Sequence, residues 1–437
     1  MKKYNLPIVI LTAIMTLLMA SCSNGAEDEL KSLLQTVPSD AAVVGVANLE
    51  SINDKIEKKH SEKDSLKSLL INTIGAQTIS QQQSLTDLLE GKAGIKPGCL
   101  VYFEAAHDYI TGLIDDEKEF KAYVEKYAGS KFQKEGDFMT AGNTAYRGSQ
   151  FWMQTSGSID TEELTSLTRL TKTQSFLTTR YADKMLKLDH DISLISSFNR
   201  YVRTTGRSSM EMNLISAALF DDASFVACEF DLTGNKNNPL GCKLNGEILN
   251  SKFKPAKFLL PTSTIDVEAV KKMDGRGNTI IAMAVSHKLI DKISKMASSF
   301  GGGLPTQMSD ILKTLDGTMA CSTDGVSLQG FITAGKGEGK TLENLLSTYT
   351  DMPFIGNYSQ LQFTSAADVV KFSMGVRPLG KEVTTVAPEF KDAMFAFWTN
   401  KFDYGDYVKD MNVPFNGTML IRLLPKDGSL KFELTIK

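Results

Sequence analysis

The stretch Ala334-Gly335-Lys336-Gly337-Glu338-Gly339-Lys340-Thr341 has the residue types of a phosphate-binding loop. Glycines let backbone N–H groups approach a phosphate, a lysine reaches its terminal oxygens, and a threonine holds Mg²⁺. The loop follows the apolar run "VSLQGFIT" and precedes the helix-like "TLENLLSTY". Three features argue against nucleotide chemistry. The strands around it are joined by short turns, which implies antiparallel pairing and not the parallel sheet that such a loop opens. No later strand ending in Asp for Mg²⁺ occurs between 342 and 437. An exported protein meets essentially no ATP. We therefore expect Lys340 to be exposed, with Thr341 or a neighbour capping a helix that runs to Tyr349.

The other chemistry-bearing residues are scattered. His60, His107, His190 and His287 are far apart in sequence, each among polar or helical residues, and read as solvated or turn histidines. Asp189-His190-Asp191 looks like a piece of a calcium loop, but it lacks the central glycine and has Arg200 at the twelfth position. Asp115-Asp116 and Asp221-Asp222 have the residue type of a glycosidase acid–base pair. At loop starts, adjacent acids are more often helix caps or turns. No nucleophile elbow, zincin or dinucleotide fingerprint appears. The expectation is no catalytic residue, no cofactor and no metal site.

Cysteines at 99, 228, 242 and 321 form no CxxC and no close Cys/His pair, so no zinc site is expected. Cys228 and Cys242 lie on two runs expected to form a hairpin. Around a loop centred near 236, Cys228 faces a position near 245 rather than 242. Whether they pair is left open; a small apolar core side chain is the favoured role for all four.

The first residues carry the firmest signal. Lys2 and Lys3 form a positive n-region, and Leu6 to Ala20 an apolar h-region too short to span a membrane comfortably. Met19-Ala20-Ser21-Cys22 then resembles a bacterial lipobox, which implies cleavage before Cys22 and lipidation of its thiol. Two or three acyl chains anchor firmly where one does not. The organisation expected is a signal peptide at 1–21, an acidic flexible tether at 22–36, an N-terminal α+β half at 37–262 and a C-terminal α+β half at 263–437. Ser23 is not the aspartate that retains lipoproteins in the inner membrane. The acidic stretch after Cys22 resembles the surface-export signal of Bacteroides-type lipoproteins. The location expected is the outer membrane, on its periplasmic or cell-surface face. Asp64-Ser65-Leu66 resembles the short O-glycosylation sequon of such bacteria, with Ser65 as acceptor.

Removal of residues 1–21 takes away Lys2 and Lys3 and no acid, leaving 46 basic against 51 acidic residues, a net of −5. No basic cluster suits a nucleic acid. The mature chain exceeds one usual core, so two domains or two fused halves are expected.

An internal likeness favours halves. The runs 41–58 and 278–300 each read as an apolar strand leading into a helix. The runs 85–127 and 308–349 each read helix, strand, tight turn, strand, loop, helix. In the first copy, the position of "AGKGEGKT" is taken by "GLIDDEKEF", whose acids would repel phosphate. The fold expected is α+β, two similar fused halves, each a mostly antiparallel sheet with helices packed on it. Hairpins are expected over 144–155, burying Trp152, over 223–249, and over 417–437. The polar segment 161–188 reads as one or two surface helices.

The runs "VPSDAAVVGVANLESI", "LDGTMACSTDGVSLQGFI" and "GTMLIRLLPKDGSLKFEL" resemble a Bacteroides-type lipoprotein family known as a domain of unknown function, over about 36–437. The resemblance implies fold and location and brings no catalytic residues. The function expected is a membrane-anchored envelope lipoprotein, non-catalytic, binding or organising an envelope protein or glycan partner. The alternative is an envelope hydrolase acting on glycan or peptide through residues distant in sequence.

Overall fold

The computed structural model describes residues 26–52, 55, 92–198, 216–233, 241–273, 277–299, 306–350, 361–375, 382–402 and 417–437. The fold is mixed helix and strand, with extensive antiparallel sheet. The chain divides into two compact units, whose main runs change over at Pro255–Ala256.

The first unit opens with α1 (Ala26–Leu34). The expected acidic tether over 22–36 is corrected here: from Ala26 on, the segment is a helix. Leu30, Leu33 and Leu34 recur at i, i+3, i+4 and are fully buried in the unit's core. Burying each such side chain stabilises by about 1.5–3 kcal/mol, enough to outweigh the polar composition of the exposed face.

The sheet of this unit contains β1 (Val43–Asn48), β2 (Cys99–Glu104) and β3 (Asp108–Leu113). α2 (Glu117–Ala128) follows, then a meander of β4 (Gln133–Glu135), β5 (Phe138–Ala141), β6 (Thr144–Arg147) and β7 (Gln150–Gln154). After α3 (Thr161–Leu167) and α4 (Arg180–Met185) come β8 (Ile192–Ser197), β9 (Phe225–Leu232) and β10 (Cys242–Leu249). The spatial order is β4-β5-β6-β7-β3-β2-β1-β8-β9-β10, every pair antiparallel.

Alternation along the strands sorts the two faces. Val44, Val46, Val101, Phe103, Tyr109, Trp152 and Ile195 pack under α1, α3 and α4. On the opposite face, Phe120 of α2 meets Phe151 and Tyr146 at ring distances of 5.2 and 5.9 Å. Trp152 is 1 % exposed, as the hairpin over 144–155 implied. The segment 161–188 is more broken than expected. Between α3 and α4 run two single turns of 3₁₀ helix, Lys172–Gln174 and Phe176–Thr178. Its Ser and Thr side chains bond local backbone instead of continuing a helix, as Ser175 does to the Leu177 N–H and Thr179 to the Ala182 N–H.

The second unit contains α5 (Val267–Lys271), β11 (Thr279–Val285), α6 (His287–Ser299), α7 (Thr306–Thr314), β12 (Leu315–Thr323) and β13 (Leu328–Ala334). α8 (Gly339–Thr350), β14 (Gln362–Ala366), β15 (Val369–Met374) and α9 (Glu382–Val386) follow. β16 (Phe395–Phe402), β17 (Gly417–Lys426) and β18 (Ser429–Ile436) close it. The order is β14-β15-β13-β12-β11-β16-β17-β18, again all antiparallel. Ile280, Ala282, Ala284, Phe331, Ala396 and Trp398 form one core with residues of α5 and α9. Val285, Ile332, Ala334 and Val370 form another with Ile290, Ile311 and Leu342.

Candidate functional site

Charged side chains concentrate in the first unit where β8 begins. Asp191 is fully buried. Its Oδ1 accepts the Ser51 hydroxyl at 2.6 Å and Lys55 Nζ at 2.7 Å. Its Oδ2 accepts the Leu232 N–H at 2.6 Å. A buried carboxylate is tolerated only when paired and hydrogen-bonded in this way. The neighbouring His190 has both ring nitrogens engaged, Nδ1 with Asp231 Oδ2 at 2.8 Å and Nε2 with Glu229 Oε2 at 3.2 Å. Glu229 also pairs with Lys184 of α4, which reaches Glu247 of β10 at 3.4 Å.

Strand geometry assembles this group. Glu229 and Asp231 are two apart on β9, so they share one face. The β8–β9 register places Phe230 opposite Ile192, which sets both acids beside His190. Tyr181 of α4 lies against the same group, 3 % exposed, with no partner for its hydroxyl among the described residues. Burial first, and the Glu229 charge second, push its pKa well up. The network is a clamp. It ties the helical segment at 49–52 and Lys55 to β8, β9, β10 and α4, and sets a carboxylate beside each imidazole nitrogen.

A second cluster lies at the turn between β2 and β3. His107 Nδ1 meets Glu163 Oε2 at 2.6 Å, and Tyr109 donates its hydroxyl to the same oxygen at 2.8 Å. The Ala106 N–H donates to Oε1 at 3.0 Å. The hydrogen bond to Glu163 is the main cause that raises the His107 pKa. Burial, then the same carboxylate, raises that of Tyr109. The ligand atoms of His107, Asp160 and Glu163 lie within 4.8 Å of one another. Part of this set already serves the fold: Asp160 Oδ1 caps α3 by accepting the Glu162 and Glu163 N–H groups at 3.0 and 2.9 Å.

His107 is a turn histidine, as expected, while His190 is no solvated one: it is a quarter exposed between two carboxylates. Each is held by carboxylates that tertiary pairing brings from 56 and 41 residues away. His287 has Asp316 at 3.8 Å. His60 and Ser65 lie outside the described residues, as does Cys22. Asp116 is the N-cap of α2, accepting the Lys118 and Glu119 N–H groups at 2.8 and 2.9 Å. Asp222 sits at φ +59° in a turn, accepting from Ser224 and Ser251. These bonds, Ser224 first, hold its pKa low. Asp116 is thus a cap and Asp222 a turn residue, while Asp221 ends a two-residue strand.

Cys99, Cys228, Cys242 and Cys321 are free. Cys228 faces Gly246 and Cys242 faces Leu232, so the two thiols are not opposite each other. Burial is the first cause that pushes Cys99 up to about 12 and Cys228 and Cys242 to about 11.

In the glycine-rich loop, the Lys340 side chain is 71 % exposed and pairs with Glu343 at 2.8 Å. Thr341 lies inside α8. The N–H near the helix start is taken from outside, the Gly337 N–H donating to Asp368 Oδ1 at 2.6 Å. At Gly339 a Cβ would come 2.0 Å from the Ala367 carbonyl oxygen, so this glycine answers a close backbone approach within the fold.

Comparison with family models, with curated proteins and with solved structures finds no match to the chain.

Proposed function

We propose that the chain is an exported lipoprotein, anchored through acyl chains on Cys22 in the outer membrane, whose role is to bind or organise an envelope protein or glycan partner without catalysis. The export and anchoring parts rest on the ordered n-region, h-region and Met19-Ala20-Ser21-Cys22, and on the resemblance to Bacteroides-type envelope lipoproteins. No helix among the described residues is long and apolar enough to cross a membrane. The observation that carries the non-catalytic part is the closure of the Asp191 cluster: both oxygens of Asp191 are bonded within the fold, and a carboxylate stands beside each nitrogen of His190. A general base needs an accessible nitrogen within hydrogen-bond reach of the proton it removes. Purified protein offered envelope glycans, peptides and esters should give no turnover, and Cys22→Ala should leave the membrane fraction or accumulate as precursor.

One observation favours the hydrolase reading. His107 Nε2 has no partner among the described residues, its ring is 42 % exposed, and Glu163 orients it from the other side. Glycan or peptide turnover abolished by His107→Ala and retained by Lys340→Ala would establish that reading instead.

We further propose that the two units descend from one duplicated half. In its support, β7-β3-β2-β1-β8-β9-β10 and β15-β13-β12-β11-β16-β17-β18 follow the same path through the chain. Helices interrupt both at matching points, α2 and α8 after the second hairpin strand. A crystal structure should superpose β1 with β11 and β8 with β16, strand for strand; strands running in different order or direction would end the proposal.

A further inference from the structure

We infer that the end of the first unit's sheet where β1 stops and β2 starts faces the lipid head groups, and that the His107 cluster points away from the membrane. The inference rests on Cys22 being the lipid anchor. Only four Cα steps separate Cys22 from Ala26, where α1 begins. At about 3.3–3.6 Å per residue their reach is at most about 14 Å. The head-group layer on each side of a bilayer is about 5–7 Å thick. The folded domain is therefore held at the membrane surface and does not float on a long tether.

The position of α1 decides which surface is held there. Its leucines pin it into the core, and its first turn is fixed at one end of the sheet. Glu29 Oε1 meets Lys96 Nζ at 2.6 Å. A Cβ on Gly98 would come within 2.5 Å of Glu29 Oε2. Gly98 immediately precedes β2, and its carbonyl accepts the Leu49 N–H at 3.0 Å. Asn48 pairs with Cys99, and the Lys96 N–H donates to the Leu113 carbonyl at 2.8 Å. The end of β1, the start of β2 and the end of β3 thus lie together beside the start of α1.

His107 occupies the other end. Glu104 pairs with Asp108 across the turn that carries it. β2 and β3 each run six residues between the two ends, about 20 Å. A leash shorter than the strands cannot bring both ends to the same surface. The surface taken by the lipid is that of loop 92–98 and Asp115–Lys118, and the turn 105–107 is left open to a partner arriving from solution.

The test uses the lipidated chain in vesicles of neutral phospholipid carrying a nitroxide on a fraction of the head groups, a short-range quencher. A fluorophore is placed at Asp115→Cys or at Ala106→Cys, both exposed positions. The native thiols, with pKa values raised by burial, compete poorly for the label at neutral pH. Quenching at 115 should exceed that at 106 several-fold. A long Gly/Ser insertion after Ser23 should abolish the difference. Lys118→Cys and Ser156→Cys repeat the comparison if either first variant misfolds. Equal quenching at both ends of a chain whose Cys22 carries acyl groups would overturn this inference alone. A mature chain without acyl groups on Cys22 would overturn the anchoring proposal and this inference with it.

Discussion

The strands that close the first unit carry a linked cluster of charges, and those that close the second bring a tryptophan and a leucine to the core beside a cross-strand ion pair. On β8–β10 the group is Glu229, Asp231 and Glu247, with His190 and Asp191 at the strand entrance. On β16–β18, Trp398 and Leu420 join the core, and Arg422 pairs with Glu433 across β17–β18 and donates to the Glu389 carbonyl at 3.0 Å. Ala393, two residues before β16, is fully buried where the first unit has charged residues before β8. The same succession of strands is thus compatible with a polar clamp and with an apolar core. A buried ion-pair network adds little net stability over apolar packing, but losing one member is costly. The clamp's effect is to fix which helix and which strands meet.

That contrast makes a first prediction, with the largest expected effect. Asp191→Ala strands the Leu232 N–H and the Ser51 hydroxyl and leaves Lys55 only the more distant Asp231, at 3.9 Å, and should cost about 3 kcal/mol in denaturant unfolding. The double replacement Arg422→Met with Glu433→Leu in the second unit should change stability by no more than about 1 kcal/mol. Equal losses in both would erase the contrast between the units.

Leu33→Ala tests whether the start of the chain belongs to the fold. Its side chain is fully buried, so unfolding measurements should show a loss of about 2–5 kcal/mol. A flexible tether would tolerate the change with no shift in the transition.

The His107 cluster gives a pH prediction. Its hydrogen bond with Glu163 raises the histidine pKa above the ordinary 6.5. A raised folded-state pKa adds stability that is fully present below about pH 6.5 and is lost as pH rises through the raised value. A ¹H–¹⁵N titration should place His107 above 6.5, and Glu163→Gln should bring it back down. An unchanged titration in the variant would mean that the pair does not form in solution.

The smallest effect is expected at Lys340. Lys340→Ala should change stability by no more than about 0.5 kcal/mol, as at an ordinary exposed site. Millimolar Mg-ATP should not raise the melting temperature, because a ligand that does not bind the native state cannot shift its unfolding. A saturable rise that vanishes in the variant would return nucleotide chemistry to the second unit's loop.

Local pattern made much of the frame legible. The alternation in "VACEFDL" and in "MLIRLLPKDGSLKFEL" announced two hairpins, and both formed with the expected strands paired. The helix α1 was hidden by its acidic composition, although Leu30, Leu33 and Leu34 already stood at helical spacing. The clusters were less accessible. His190 meets Glu229 and Asp231 only after β8 pairs with β9, across a long intervening segment. His107 meets Glu163 only after α3 returns to the β2–β3 turn. Periodicity reports which way a side chain points within its own element, and says nothing of which distant element will stand opposite.

The central claim is that this fold is carried on a lipid at Cys22 by a leash of a few residues. Mass spectrometry of the N-terminal peptide, from protein extracted from its native membranes, tests it most directly. The account predicts a mature chain that begins at Cys22 and carries the added mass of its acyl chains. A mature N-terminus at any other residue, or an unmodified Cys22, would contradict it.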